Sequence, residues 1–426
     1  MTRRTFFQGA AGALSATRVM GANDRVQIGI VGLGGRGGDH LRSYVTIPDA
    51  QVAALCDVNQ AARERAQARL SAATQAKGRE YADMREMFAD KNIDAVSIAT
   101  PNHWHALATI WACEAGKDVY IEKPASHNIH ESWKMVEVAR KTGRMVQVGS
   151  QGRSAPVKIK AAQALRDGVI GKLYMSKGLC FKRRKSIGKT PVEPVPAGLD
   201  WDKFLGPAPM RPYTKNRFAY NWHWFWDTGN GDIGNQGVHE MDIARWGMGN
   251  LGMPKSVVST GGKYLYDDDQ ETPNTQLATF DYGSMQIVFE VRGLLTGPEA
   301  GVPVKGANLV GDLFYGSEGW MWLTGGGYTV YKGESNEKAL EEKAAGGEDG
   351  TATHMKNFLA ACRSRNHKEL NADVEIGAMS ANLGHLANIS YRVGRKLDWD
   401  QNTKKFVKAP DADKMMTRDY RKGYVV

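Results

Sequence analysis

The chain has little cysteine. Cys56, Cys113, Cys180 and Cys362 are the only four in 426 residues, and no two form a Cys-x-x-Cys pair. Zinc ribbons and dithiol redox sites need sulfurs at short spacing, so neither is supported and no metal is expected. Cys56 and Cys113 lie in apolar contexts and read as buried thiols. Long apolar runs are also missing: none approaches the roughly 20 residues of a spanning helix, so no membrane span is expected in the mature chain. No internal repeat is visible, which sets solenoids and propellers aside. Acids are outnumbered by bases, 46 to 56, for a formal net charge of +10. Three arginines (Arg3, Arg4, Arg18) precede Ala22 with no acid among them, which leaves about +7 beyond that point. The densest basic run is Lys182-Arg183-Arg184-Lys185. It could meet an anionic ligand or surface, but no basic stripe interleaved with aromatics accompanies it, so a solvated loop is favoured and no nucleic-acid partner is implied.

What is present begins with residues 1–22. Thr2-Arg3-Arg4-Thr5-Phe6-Phe7 is a twin-arginine pair followed by aromatics, and a weakly apolar run of small residues extends to Ala16. A charged region, an apolar region and a small-residue exit in that order read as an export signal, with cleavage after Ala16 or Ala22. The expected location is the periplasm or another site reached by the twin-arginine route. That route carries folded proteins, so a cofactor would travel already bound.

Residues 23–150 alternate strand-like runs (25–31, 51–57, 94–100, 118–122, 145–149) with helical ones (39–45, 60–76, 105–115, 131–141). The alternation predicts an α/β fold with a doubly wound parallel sheet. The rhythm changes after residue 150. Residues 151–426 predict an α+β domain with a large, open, mainly antiparallel sheet. Its strands fall at 172–179, 256–258, 275–280, 285–291 and 319–323, its helices at 157–167, 237–246, 354–364 and 376–392. Segments 185–198 and 334–349 read as loops, and the C-terminal helices are able to pack back on the first domain.

Gly32-Leu33-Gly34-Gly35-Arg36-Gly37 follows the first strand and opens a helix, and Asp57 stands 20 residues after Gly37 at the end of the next strand. Glycines allow a tight turn and close backbone approach, and the helix start offers N–H groups to a pyrophosphate. An acid at Asp57 accepts ribose hydroxyls and repels a 2′-phosphate, so NAD is favoured over NADP. Thr100-Pro101-Asn102-His103-Trp104-His105 ends another strand, where Thr100 and Asn102 face the ligand crevice and the histidines either contact cofactor or pack the helix. Glu122-Lys123-Pro124 ends a further strand and points Lys123 into the same crevice. An ammonium there polarises a hydroxyl and stabilises a developing alkoxide. Tyr220, Trp222, Trp226 and Asp227 form a candidate carbohydrate-facing lip, since aromatic faces stack on sugar rings. Arg153 and Lys177 are further substrate candidates.

These motifs together resemble the glucose–fructose oxidoreductase / inositol dehydrogenase / rhizopine catabolism family, abbreviated Gfo/Idh/MocA. The glycine-rich entry Gly229 to His239 and the segment Arg392 to Asp400 extend the resemblance over nearly all of the mature chain. It implies Lys123 and His239 as the catalytic pair. It also implies Gly35, Arg36, His105 and Glu122 among the cofactor contacts, and a homo-oligomer, dimer or tetramer, built on the open sheet. Many family dehydrogenases carry Asp four residues before the histidine. Here Asn235 stands there, able to bind a sugar hydroxyl but not to carry a proton. The expected activity is oxidation of a carbinol of a sugar, polyol or glycoside with a recycled nucleotide. Two alternatives stay open: an NAD-dependent glycosidase like those of glycoside hydrolase family 109, and a non-catalytic nucleotide and sugar binder.

Overall fold

The computed structural model describes residues 25–299, 301–346 and 350–426; the twin-arginine segment lies outside the described residues. Two sheets organise the chain. The first contains β1 (Val26–Val31), β2 (Ala50–Cys56), β3 (Arg79–Tyr81), β4 (Ala95–Ile98), β5 (Asp118–Ile121) and β6 (Val146–Val148), all parallel, in the order β3-β2-β1-β4-β5-β6. Its central strands are apolar almost without a break because helices cover both faces. The order reverses between β1 and β4, and that switch point opens the crevice at the carboxyl ends of the strands.

The second sheet holds β7 (Leu173–Lys182), β8 (Ser256–Gly262), β9 (Thr275–Asp281), β10 (Gln286–Arg292), β11 (Asn308–Gly316), β12 (Gly319–Thr324), β13 (Gly327–Lys332), β14 (Glu337–Lys343), β15 (Leu397–Asp400) and β16 (Lys405–Phe406). Their order is β14-β13-β12-β11-β7-β10-β9-β8-β15-β16, antiparallel except for the parallel pair β7 and β10, so the sheet is mixed. Alternation in β9 and β10 sends Ala278, Phe280, Ile287 and Phe289 inward. There they meet Met241 of helix Gly237–Gly247 and Leu383 and Leu386 of helix Val374–Val393. The other face leaves Leu277 and Val258 exposed, at 43% and 38%.

One sequence expectation changes, and the packing of the C-terminal helices on the first domain does not. Residues 334–349 are not all loop, because β14 pairs along β13. It is an edge strand of exposed charged residues, so no apolar alternation marks it. The first domain also borrows its core from far along the chain. Met355, Phe358 and Leu359 of helix Thr351–Ser364 join the cluster under β1 and β2. Val374 and Ala381 close the opposite face, and Tyr424 packs edge-on against Trp104.

Candidate active site

A cleft of about 1990 Å³ runs between the two sheets and gathers most of the sequence-predicted residues. At its nucleotide end the helix Gly35–Tyr44 begins inside the glycine loop. The glycines divide the work. Gly32 has φ +82, and a Cβ there would lie 2.7 Å from the Ala99 carbonyl. A Cβ at Gly37 would sit 1.7 Å from the Gly32 carbonyl, so Gly37 packs helix on strand and does not face the cleft as expected. Gly34 and Gly35 line the cleft, and side chains there would project into open space, which leaves a cradle at the helix N-terminus for a pyrophosphate. Asp57 accepts from Leu33 N at 2.6 Å and Asn59 N at 2.8 Å, which fixes its carboxylate at the cleft rim; burial pushes its pKa up. The Thr100 hydroxyl is buried at the wall with no partner among the described residues. This donor and acceptor set suits a dinucleotide.

Glu122 is the hub of the floor. It accepts Arg36 Nε at 2.7 Å and Gln151 Nε2 at 3.0 Å, and lies 3.0 Å from His40 Nε2. Burial opposes its ionisation, but Arg36 and His40 hold it well below the ordinary carboxylate range. Lys123, next along, joins Pro124 through a cis peptide bond and donates from Nζ to the Asn235 carbonyl at 2.8 Å. The ammonium is thus held from the second domain, and burial lowers its pKa. His239, on helix Gly237–Gly247, lines the same cleft. Its ring has no hydrogen-bond partner among the described residues. Burial, then the Lys123 charge, holds the imidazole well below its usual pKa, so it is a neutral proton acceptor. Asn235 donates to the Tyr220 hydroxyl at 3.0 Å.

His105 lines the cleft, yet its ring nitrogens lie 2.6 Å from Pro124 O and 2.8 Å from Thr100 O, so it ties the two loops together. His103 faces Phe204 O and Thr228 O. Asn102 donates to Asn230 Oδ1 at 3.0 Å. Tyr220 and Trp222 reach the cleft, and Trp222 stacks on His223 with ring centroids 3.6 Å apart.

Four substrate expectations are corrected. Arg153 is buried in a two-point pair with Asp242, at 2.7 and 2.9 Å, and does not reach the cleft. Lys177 is neutralised by Glu290 and Glu299 at 3.1 and 2.5 Å. Trp226 lies under Arg392 and Asp227 binds Arg211; both border a separate hollow of about 350 Å³. The basic run is not a solvated loop either: Lys182 and Arg184 line the cleft. The missed residues include Lys158, Gln236 and Glu240. Only the placement of Glu240 beside His239 could have signalled the last.

Glu240 accepts from Gln236 Nε2 at 3.2 Å, and burial raises its pKa to about 7. Between an unfolded value of about 4.5 and that folded value, the unfolded chain releases a proton that the fold retains. Stability therefore falls as pH rises across this window and levels off above it, by at most about 3 kcal/mol. Glu240→Gln should lose less stability than the parent between pH 5 and pH 8, measured by urea unfolding.

Comparison with known proteins agrees with this geometry. Residues 26–150 match the family model described as oxidoreductase family, NAD-binding Rossmann fold, and residues 159–272 and 309–426 match its C-terminal alpha/beta domain. A glycosyl hydrolase family 109 protein of Shewanella sp. (strain W3-18-1) is 28% identical over 154 residues, 35% of this chain and 34% of that protein. One from Saccharopolyspora erythraea is 25% identical over 218 residues, 50% of this chain and 42% of that protein. The chain thus spans less than half the length of these curated relatives. Among solved structures, the WlbA dehydrogenase from Bordetella pertussis in complex with NADH and UDP-GlcNAcA aligns with a TM-score of 0.66 at 21% identity, covering 88% of this chain and 98% of that one. Levoglucosan dehydrogenase with NADH and levoglucosan gives 0.69 at 17%, covering 88% and 99%. The matched domains span most of the chain, which belongs to the Gfo/Idh/MocA oxidoreductase family and carries that family's NAD-binding Rossmann domain.

Proposed function

We propose that the protein oxidises a carbinol of a sugar, polyol or glycoside. The observation that carries this reading is the convergence of Lys123 and His239, from different domains, on one cleft beside the glycine cradle. A nicotinamide bound in this cleft would supply the hydride acceptor. Lys123 holds the substrate oxygen and stabilises the alkoxide, and the neutral His239 takes the hydroxyl proton. Trp222 and Tyr220 offer faces and a hydroxyl to the ring. The structural neighbours named with NADH and a sugar or sugar nucleotide support the same class.

We also propose export by the twin-arginine route, with the nucleotide loaded beforehand, retained through turnover and regenerated by a second sugar step. The purified mature protein should then show bound NAD by absorbance and mass. Protein that holds none, and gains no thermal stability with NAD or NADP, would sink the enzyme reading. The exposed face bearing Val258 and Leu277 supports a homo-oligomer built on the second sheet.

The family 109 relatives favour a second reading, in which transient oxidation acidifies the neighbouring C–H, the glycosidic substituent is eliminated, and water addition with re-reduction gives net hydrolysis. Solvent deuterium entering the sugar without net NADH marks that cycle; steady ketosugar formation marks plain oxidation. In either case the lowered His239 pKa places the acid limb of kcat/KM below the ordinary imidazole value of about 6.5. A limb at or above that value would remove His239 from the role of base.

A further inference from the structure

The reaction proposed above leaves several cations of the cleft unused, and three of them bear on its reacting end. Lys158 enters from helix Pro156–Arg166, and Lys182 and Arg184 come from the end of β7 and the residues after it. Arg184 is already neutralised, gripping Asp232 at 2.9 and 2.7 Å and lying over Trp224. The lysines are not. Among the described residues Lys158 has neither a hydrogen-bond nor an ion-pair partner, and Lys182 Nζ reaches only the neutral amide oxygen of Gln236, at 2.8 Å. Both are partly buried. An ammonium withdrawn from water without a counter-ion is unfavourable, and a ligand anion offsets that cost.

The dinucleotide does not account for them. Its pyrophosphate belongs at the start of helix Gly35–Tyr44, whereas these charges act on the reacting end of the cleft. Lys158 acts on His239, Lys182 on Lys123, and both on Glu240. Glu240 does not neutralise them: it forms no ion pair with either, and its contacts go to Gln236.

We infer that the sugar accepted by this cleft carries an anionic group, a carboxylate or a phosphate ester, bound by Lys158 and Lys182. The inference rests on the reading of the cleft as a sugar site and adds the charge of the substrate to it. The sequence-level basic run thereby gains a purpose: its first residue is a ligand contact, and its third holds the aromatic lip in place.

The test uses the full protein with its nucleotide bound. Glucose and galactose are titrated calorimetrically against glucuronate and galacturonate in one arm and against their 6-phosphates in another, at low and high salt. At least one acidic member should bind about tenfold or more tighter than its neutral parent, with the advantage shrinking in salt. In the doubly substituted Lys158→Met/Lys182→Met protein the ratio should collapse toward one, with bound nucleotide and cooperative melting as the check on folding. The two arms separate carboxylate from phosphate. Neutral sugars binding as tightly as every acidic partner, or a preference that survives the double substitution, would overturn the inference alone. No binding by any member of the panel would overturn the sugar reading and the inference with it.

Discussion

Lys123→Ala should retain its nucleotide while turnover falls by about a thousandfold or more. The Nζ is held at the junction of both domains, 2.8 Å from the Asn235 carbonyl, and it acts on the His239 ring. Removing it takes away the group that stabilises the alkoxide. The glycine cradle and Asp57, at the other end of the cleft, are untouched. Single-turnover kinetics with the bound nucleotide, followed by its absorbance, separates chemistry from release. Turnover near that of the parent would remove Lys123 from the reaction, and loss of nucleotide would recast it as a cofactor ligand. Lys123→Arg should rescue little, because a broad planar guanidinium cannot occupy the position of a point donor.

Arg153→Met should cost about 3–5 kcal/mol of folding stability. The pair with Asp242 is 3% and 2% exposed, and Asp242 also accepts from Ser380 Oγ at 2.6 Å. The two residues therefore join helix Gly237–Gly247, which carries His239, to helix Val374–Val393. Losing only the guanidinium leaves a buried carboxylate without its ion pair, held by Ser380 Oγ and the neighbouring Arg245 charge alone. Arg153→Met combined with Asp242→Leu should recover only part of the loss, since it removes the stranded carboxylate but leaves the buried Arg245 guanidinium without that charge nearby. Urea unfolding of both variants measures it. A loss below about 1 kcal/mol for the single variant would mean that the pair behaves like an exposed one.

The two variants also show what sequence could and could not reveal. Lys123 and Asp57 were legible because strand, turn and chemistry lie within a few residues of one another, and strand ends in a doubly wound sheet face one crevice. His239 was legible only through resemblance, since nothing local distinguishes it from His103, which packs against main-chain carbonyls. Arg153 was misread because its partner lies far along the chain, and a lone arginine looks the same whether it meets Asp242 or a sugar. Lys177 failed for the same reason. Trp222 and Trp226 divide to opposite sides of a short turn, which no periodicity can report over so few residues. Arg184 reads as solvent-facing because no aromatic-interleaved stripe surrounds it in sequence. Trp224 and Tyr220 supply the aromatics in space.

The core under β1 and β2 is completed by Met355, Phe358 and Leu359, and the opposite face by Val374 and Ala381. The core of the nucleotide domain is therefore completed by residues made long after its own strands. When residue 150 leaves the ribosome, its sheet still lacks packing on both sides, and the missing pieces follow on the order of tens of seconds later at ordinary rates of translation. Through that interval the nascent chain carries uncovered apolar surface that a holding chaperone would recognise. The packing around the glycine cradle is complete only after these later residues have been made.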